Sequence, residues 1–370
     1  MSERAHSAPA ADEAAPGATP TLEVRNLEKY FSTGGSIKNL LRSRGEPPVQ
    51  AVDDVSFTLH ENESLGIIGE SGCGKSTLLK TLMGLHQPTG GEVYFRGQPM
   101  SEFGRRDWRE YRRNVQIIFQ DPFNSHDPKF TVRETLLEPL QIHGMDDQAE
   151  RVYEMLERVE LSPPEKYLDR FPRQLSGGEK QRVSIARALI LEPSVILADE
   201  PVSMLDVSTQ ASILNLLNRL LTETGVGMVY ISHDISTISY VSDSVGVMYL
   251  GRIVERAPTE AVINEPKHPY TRALIDAIPI PDPHHKRERT TIDGSPRSPK
   301  GLGEGCRFRD RCPDRMEVCE QTPADVEVDD GHVAACHLYY DHDDRGIEDP
   351  RSGGTDPISS DDVTERGEER

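Results

Sequence analysis

The chain has 370 residues, enough for two to three domains and a substantial core. Its 62 acidic against 42 basic residues give a formal charge of −20, which excludes non-specific nucleic-acid binding through a broad basic surface. No apolar run reaches the ~18 residues of a membrane span, so any membrane role must come from docking onto another protein. Few of the basic residues are lysine and the acids are spread widely. That pattern is expected of a halophile, whose cytosol is salt-loaded, or more plainly of an ordinary acidic protein. Residues 1–20 are Ala/Pro/Ser-rich without the apolar core of a secretion signal, so they read as a disordered leader on a cytoplasmic protein.

In chain order, Leu22, Val24, Tyr30 and Phe31 predict a first strand, followed by a Gly/Ser/Arg/Pro-rich insertion to about Gln50. The alternation of Val52, Val55, Phe57 and Leu59 predicts a half-buried strand, and Ser64 to Ile68 a short apolar one. Gly74 to Leu85 predicts a helix. From Phe123 to about Arg173 helical spacing dominates, with Leu136, Leu137, Leu140, Val152, Met155, Leu156 and Val159 as its apolar positions. A second α/β stretch follows: strand Val195 to Ala198, helix Val207 to Leu221, strand Gly227 to Ile231 and strand Val245 to Leu250. Apolar strands alternating with helices predict a largely parallel sheet covered on both faces. Beyond about Ala261 the texture turns to loops containing Pro, His and Cys. The final stretch, 341–370, holds 11 acids, 4 basic residues and few apolar ones, and is expected to be disordered.

Gly69-Glu70-Ser71-Gly72-Cys73-Gly74-Lys75-Ser76 fits G-x-x-x-x-G-K-[ST] between a strand and a helix, the setting of a phosphate-binding P-loop. Its glycines let backbone N–H groups wrap phosphates at a helix N-terminus. Lys75 is expected at the β- and γ-phosphates and the Ser76 hydroxyl on Mg²⁺, with Ser71, Gly72, Cys73, Gly74 and Thr77 also lining the nucleotide. The strand Val195 to Ala198 delivers Asp199 to its carboxyl end, where ligands of open α/β sheets gather. Asp199 is a candidate Mg²⁺ partner, and Glu200 the base or orienter for an attacking water.

Between these two elements lies Leu175-Ser176-Gly177-Gly178-Glu179-Lys180-Gln181-Arg182, whose Ser and Gly residues open a helix and offer a hydroxyl and N–H groups to phosphate. This octapeptide resembles the signature of ATP-binding cassette (ABC) proteins, and the likeness extends from about residue 22 to residue 260. The resemblance implies an α/β P-loop NTPase cassette over 21–260: a mostly parallel sheet flanked by helices, an antiparallel β subdomain, and a helical subdomain at about 121–183. It also implies that Ser176, Gly177, Gly178 and Asp206 serve ATP in trans, on a partner's P-loop, with Arg182 structural. Phe31 matches the adenine-stacking aromatic, with Tyr30 as the fallback. Gln120, in IIFQDP, matches the Q-loop that touches Mg²⁺ and water; Ser203-Met204-Leu205-Asp206 matches the D-loop; His233, in ISHD, matches the switch histidine.

The stretch His268-Pro269-Tyr270-Thr271-Arg272-Ala273-Leu274 and the segment from Gly305 through Pro313 resemble the C-terminal extension of oligopeptide/dipeptide importer ATPases, here over 261–340. Asp199 to Ser203 and the basic insertion before Val52 are more similar to the second of their two paralogous subunits. The implied partners are a sister ATPase, two transmembrane permease subunits and an external binding protein, with no nucleic acid, on the inner face of the cell membrane. Two other readings compete with this one. One is a soluble ABC ATPase acting on ribosomes or DNA, which usually carries two cassettes or a long coiled-coil insertion. The other is a transporter ATPase regulated through a redox-sensing cluster.

Cys306, Cys312, Cys319 and Cys336 follow C-x5-C-x6-C-x16-C, and a cytosolic address disfavours disulfides. Four thiolates suit a [4Fe–4S] cluster or zinc, and the missing C-x2-C pair favours iron–sulfur over zinc. Unmetallated thiols remain the third reading, and some members of the resembled family carry such a cluster in this module.

Overall fold

The computed structural model describes residues 19–32, 47–122, 125–277 and 297–340. The expected leader, most of the basic insertion, Phe123 and the acidic tail lie outside the described residues. Two sheets organise the chain. β1 (Leu22–Phe31) pairs antiparallel with β2 (Val49–Leu59) and with β4 (Gly90–Phe95), and β5 (Gln98–Pro99) closes this four-stranded sheet. Alternation decides which face is covered: Leu22, Val24, Val55, Phe57 and Leu59 are buried while Arg25, Ser56 and Thr58 face water.

The second sheet holds eight strands among the described residues. Its parallel part runs β9-β3-β8-β7-β6, from β3 (Ser64–Ile68), β6 (Val115–Ile118), β7 (Val195–Asp199), β8 (Gly227–Ser232) and β9 (Ser244–Tyr249). Every residue of β3 and β8 is buried, because helices cover both faces; these strands read as continuous apolar runs for that reason. α1 (Lys75–Leu82) follows β3 directly, and α2 (Arg105–Asn114) leads into β6. The α1, β1 and β2 side chains share one core cluster, with one face of the parallel sheet.

The helical region holds α3 (Val132–His143), α4 (Gln148–Arg158) and α5 (Gly177–Leu189). Leu136, Leu140, Val152, Met155, Leu156 and Val159 are buried in the other core cluster, as their spacing predicts. Thr131 and Glu134 cap α3 reciprocally, the Thr131 N–H donating to Glu134 at 2.7 Å. α6 (Val207–Thr224) and α7 (Ile235–Val241) complete the layer.

The sheet continues past residue 260. β10 (Arg252–Pro258) is followed by α8 (Thr259–Asn264) and α9 (Pro269–Asp276); β11 (Val326–Asp329) and β12 (His332–Ala334) then extend the sheet antiparallel, β12 on β10. These strands are too short for periodicity to announce. A buried charge ties them down. Glu255 is 1% exposed and accepts from the Lys267 and His268 N–H groups at 2.7 and 2.8 Å, with His332 Nε2 2.7 Å away. A carboxylate so deep requires partners of this kind. No helix among the described residues is long and apolar enough to cross a membrane.

Candidate active site

The carboxyl ends of β3, β7 and β8 meet at one rim of the parallel sheet, so loops distant in sequence become neighbours. After β3, the P-loop turns through Gly72 (φ +80°) and Gly74 (φ +116°). A Cβ on Gly74 would stand 2.0 Å from the Ala51 carbonyl oxygen, and one on Gly69 2.1 Å from that of Met248. Only glycine leaves this loop its path. Gly74 is the N-cap of α1, which therefore presents Lys75, Ser76 and Thr77 in its first turn. The Lys75 ammonium, 7% exposed, donates to the Gly69 and Glu70 carbonyls at 2.6 and 3.1 Å. Ser71 and Gly72 are exposed; Cys73 is buried, and burial pushes its thiol pKa up.

Asp199 ends β7 near the Ser76 hydroxyl. Burial and the adjacent Glu200 charge push its carboxyl above the usual range, against the pull of Ser76 and Lys75. A cation there would relieve both causes.

Glu200 takes a left-handed backbone (φ 45°), anchored by its N–H to the Ile231 carbonyl at 2.9 Å. Its carboxylate is the meeting point of the three expected catalytic residues. Gln120 Nε2 donates to Glu200 Oε2 at 2.8 Å, and His233 Nδ1 lies 3.1 Å from the same oxygen. Glu200 is 16% exposed at the side chain and His233 59%, so the histidine approaches from the solvent side. Ser203, quoted in the sequence only as part of a loop, also belongs here: its hydroxyl donates to the Glu200 carbonyl at 3.1 Å and stands 3.4 Å from Gln120 Nε2.

Of the two candidate aromatics, Tyr30 is engaged elsewhere. Its hydroxyl donates to Asp53, which also receives Arg307 and Arg252 Nε, the latter at 2.8 Å. Burial would raise the Asp53 carboxyl, but Tyr30, Arg307 and Arg252 hold it below the usual range. Phe31 ends β1 half-buried, edge-on to His86 with centroids 5.3 Å apart and with Lys29 over its ring.

Ser176, Gly177 and Gly178 open α5. Ser176 caps its own helix, accepting from the Glu179 N–H at 3.3 Å while its N–H donates to Glu179 at 2.7 Å. Asp206 caps α6 through Ser208 and Thr209 and is fully exposed; those bonds lower its carboxyl to about 2. Arg182 donates to the Val159 carbonyl, Glu160 and Ser212, joining α5 to its neighbours. The signature and D-loop residues thus face outward from one chain, with exposed side chains at Ser176 and Asp206.

The four extension cysteines are gathered. Cys306, Cys319 and Cys336 are buried, Cys312 is half-buried, and the Cys306 N–H donates to the Cys319 carbonyl at 2.9 Å. Burial pushes the Cys306, Cys312 and Cys336 thiols up to about 11, helped by one another's charge. Among the described residues no group of three or more His, Cys, Asp or Glu side chains is arranged to hold a metal ion, so the expected iron–sulfur set does not adopt a ligating geometry. The rim of the sheet is different in kind. Mg²⁺ there needs one carboxylate, a hydroxyl and phosphate oxygens rather than a cage of side chains, and the glycine cradle, Ser76 and Asp199 fit that pattern.

The family described as ABC transporter matches residues 52–203, and that of the oligopeptide/dipeptide transporter C-terminal region matches 254–319. A putative oligopeptide transport ATP-binding protein, YkfD of Bacillus subtilis, is 45% identical over 86% of this chain and 96% of its own length. The oligopeptide transport ATP-binding protein AppF of the same organism is 44% identical over 86% and 97%. Among solved structures, the dimeric post-hydrolysis state of the ATP-binding cassette MJ0796 bound to ADP and Pi superposes with a TM-score of 0.55 at 30% identity, covering 64% of this chain and 98% of that one.

Proposed function

The chain belongs to the ATP-binding proteins of oligopeptide-type ABC transporters, and from that premise we propose that it hydrolyses ATP at the rim of β3, β7 and β8 to drive import of peptides or related small solutes. The observation that carries the chemistry is the convergence of Gln120 and His233 on one oxygen of Glu200, beside a P-loop whose Lys75 and Ser76 pull the Asp199 carboxyl down.

The residues divide the work. Gly69 and Ser71 to Thr77 cradle the phosphates, and Lys75 exchanges its two carbonyl acceptors for phosphate oxygens. Phe31 offers its ring to the base. Mg²⁺, when bound, would supply neutralisation of the phosphate charge. Ser76, Asp199 and Gln120 are the residues that would hold it. Glu200 orients the attacking water, Gln120 and His233 fix the carboxylate's direction, and Ser203 holds the Glu200 backbone carbonyl. Ser176, Gly177, Gly178 and Asp206 complete the site of a second cassette; their outward position in a single chain and the dimeric MJ0796 structure support this. That second cassette is a sister ATPase. Closure of the pair moves the helical region against two permeases, which receive solute from an external binding protein. The chain then works on the inner face of the cell membrane.

Trapping Glu200→Gln with ATP in native membranes and identifying what co-purifies tests this. Permeases, a sister ATPase and a binding protein are expected; ribosomes or DNA factors without permeases would overturn the transport reading.

Two narrower proposals stand beside it. The C-x5-C-x6-C-x16-C spacing is what supports a [4Fe–4S] cluster in the extension, whose thiols would have to rearrange to ligate it; colourless, iron-free protein after anaerobic purification would remove it. The acidic surface supports a salt-rich cytosol, in which case thermal stability should climb as KCl is raised into the molar range; a flat profile would end that idea.

A further inference from the structure

The outer edge of the P-loop is held from the far end of the chain. Glu70, its second residue, receives both prongs of the Arg311 guanidinium: Nη1 to Oε2 and Nη2 to Oε1, each at 2.9 Å. The Glu70 N–H also donates to Tyr270 Oη at 2.9 Å. Arg311 is 9% exposed at the side chain, stands over the Tyr249 and Phe308 rings at 5.8 and 5.9 Å, and donates to Tyr249 Oη at 3.2 Å. Those rings and Tyr270 pack together with centroids 4.6 to 5.4 Å apart. A planar fork buried beside these rings and bonded at both prongs has little freedom left, so it fixes its carboxylate in place and in direction.

Glu70 is well placed to pass that constraint on. Its carbonyl accepts from the Cys73 N–H at 3.2 Å and from Lys75 Nζ at 3.1 Å, so the peptide that Arg311 steadies is also the one on which the loop folds. The loop contains two positive-φ glycines, which are costly to order. An external brace that orders them beforehand lowers the cost of binding phosphate.

We propose that Arg311, acting through Glu70, is a positioning residue for the phosphate loop, so that the C-terminal extension sets this site's affinity for MgATP. The proposal rests on the reading of the P-loop as the ATP site. It makes the extension part of the nucleotide site's construction, although it lies some 240 residues further along the chain.

The test measures KM and kcat for MgATP, equilibrium binding of MgADP, and melting temperature for the full-length protein in its transporter assembly. The variants are Glu70→Gln, Arg311→Gln, Arg311→Lys and the double Glu70→Gln/Arg311→Gln. Each glutamine variant should weaken MgADP binding and raise KM on the order of tenfold, with kcat nearly unchanged. The double variant should be no worse than the poorer single, and Arg311→Lys, which keeps the charge without the fork, should fall between. Near-isosteric Glu70→Gln keeps the Tyr270 bond, so it reports on affinity even where Arg311→Gln unfolds. Unchanged affinity in Glu70→Gln, or penalties that add in the double variant, would overturn the brace. Wild-type protein that binds no MgADP would overturn the ATP reading itself, a result distinct from either.

Discussion

Asp199, Glu200 and His233 stand directly at or after the ends of β7 and β8, and Lys75 one loop beyond β3, strands in parallel register and buried along almost their whole length. Arg307, Arg311, Tyr270 and the four cysteines sit instead on short or irregular segments, held by side-chain bonds to Asp53, Glu70 and Glu255 and by a small aromatic group. The first region is positioned by backbone hydrogen bonds that cannot be lost singly. The second depends on a few charge-assisted bonds, each of which one substitution removes. The rim is therefore suited to chemistry that must not drift. The extension is suited to adjusting it.

The contrast can be sharpened by substitutions on either side. Phe308 is 1% exposed and touches Tyr249, Tyr270 and His268, so Phe308→Ala should cost about 3–5 kcal/mol of stability. Denaturant melts would show it, and a loss below about 1 kcal/mol would mean the extension is not packed through this ring. On the rim, Gly74→Ala forces a Cβ to within 2.0 Å of the Ala51 carbonyl at φ +116°. MgADP binding should fall roughly 100-fold, with the fold retained; ordinary binding would contradict the loop's path.

His268 gives a pH signature. It is 1% exposed, its Nδ1 accepts from the Tyr270 N–H, and burial pushes its pKa down to about 3. The unfolded chain takes up a proton near pH 6.5 and the folded chain refuses it until about 3. Stability is therefore lost as pH falls through that window, by about 1.4 kcal/mol per pH unit. Melting curves of wild type and His268→Asn across this range should diverge in slope; equal slopes would remove His268 as the cause.

The smallest effect on stability is expected from Ser176→Ala, which removes an N-cap worth about 1 kcal/mol. If Ser176 also serves ATP in trans, turnover in the assembly should drop far more than that loss explains. A turnover change in proportion to stability would leave Ser176 as a cap alone.

Much of the rim was legible because its motifs place chemistry where strands end. The apolar run before Asp199 and the glycines around Lys75 single out those residues, and the structure brings Gln120 and His233 to Glu200. Ser203 was less visible, since a serine in a loop has no spacing that marks a hydrogen bond. In the sequence the extension reads as loops because β11 and β12 are only four and three residues long, below any detectable period. Glu70–Arg311 and Asp53–Arg307 were unreadable for a different reason. Nothing local in either segment announces an ion pair across more than two hundred residues; the docking of the extension creates it. The cysteines were legible as a group, and the structure gathers them, but spacing could not supply the arrangement of the thiols.

The most direct test is turnover by Glu200→Gln at matched MgATP occupancy. The substitution keeps the size of the side chain and its place between Gln120 and His233 while removing the charge. The account predicts ATP binding close to wild type with hydrolysis reduced on the order of 100-fold or more. Turnover within a few-fold of wild type would contradict the assignment of Glu200, and with it the claim that the rim of β3, β7 and β8 is where this chain does its work.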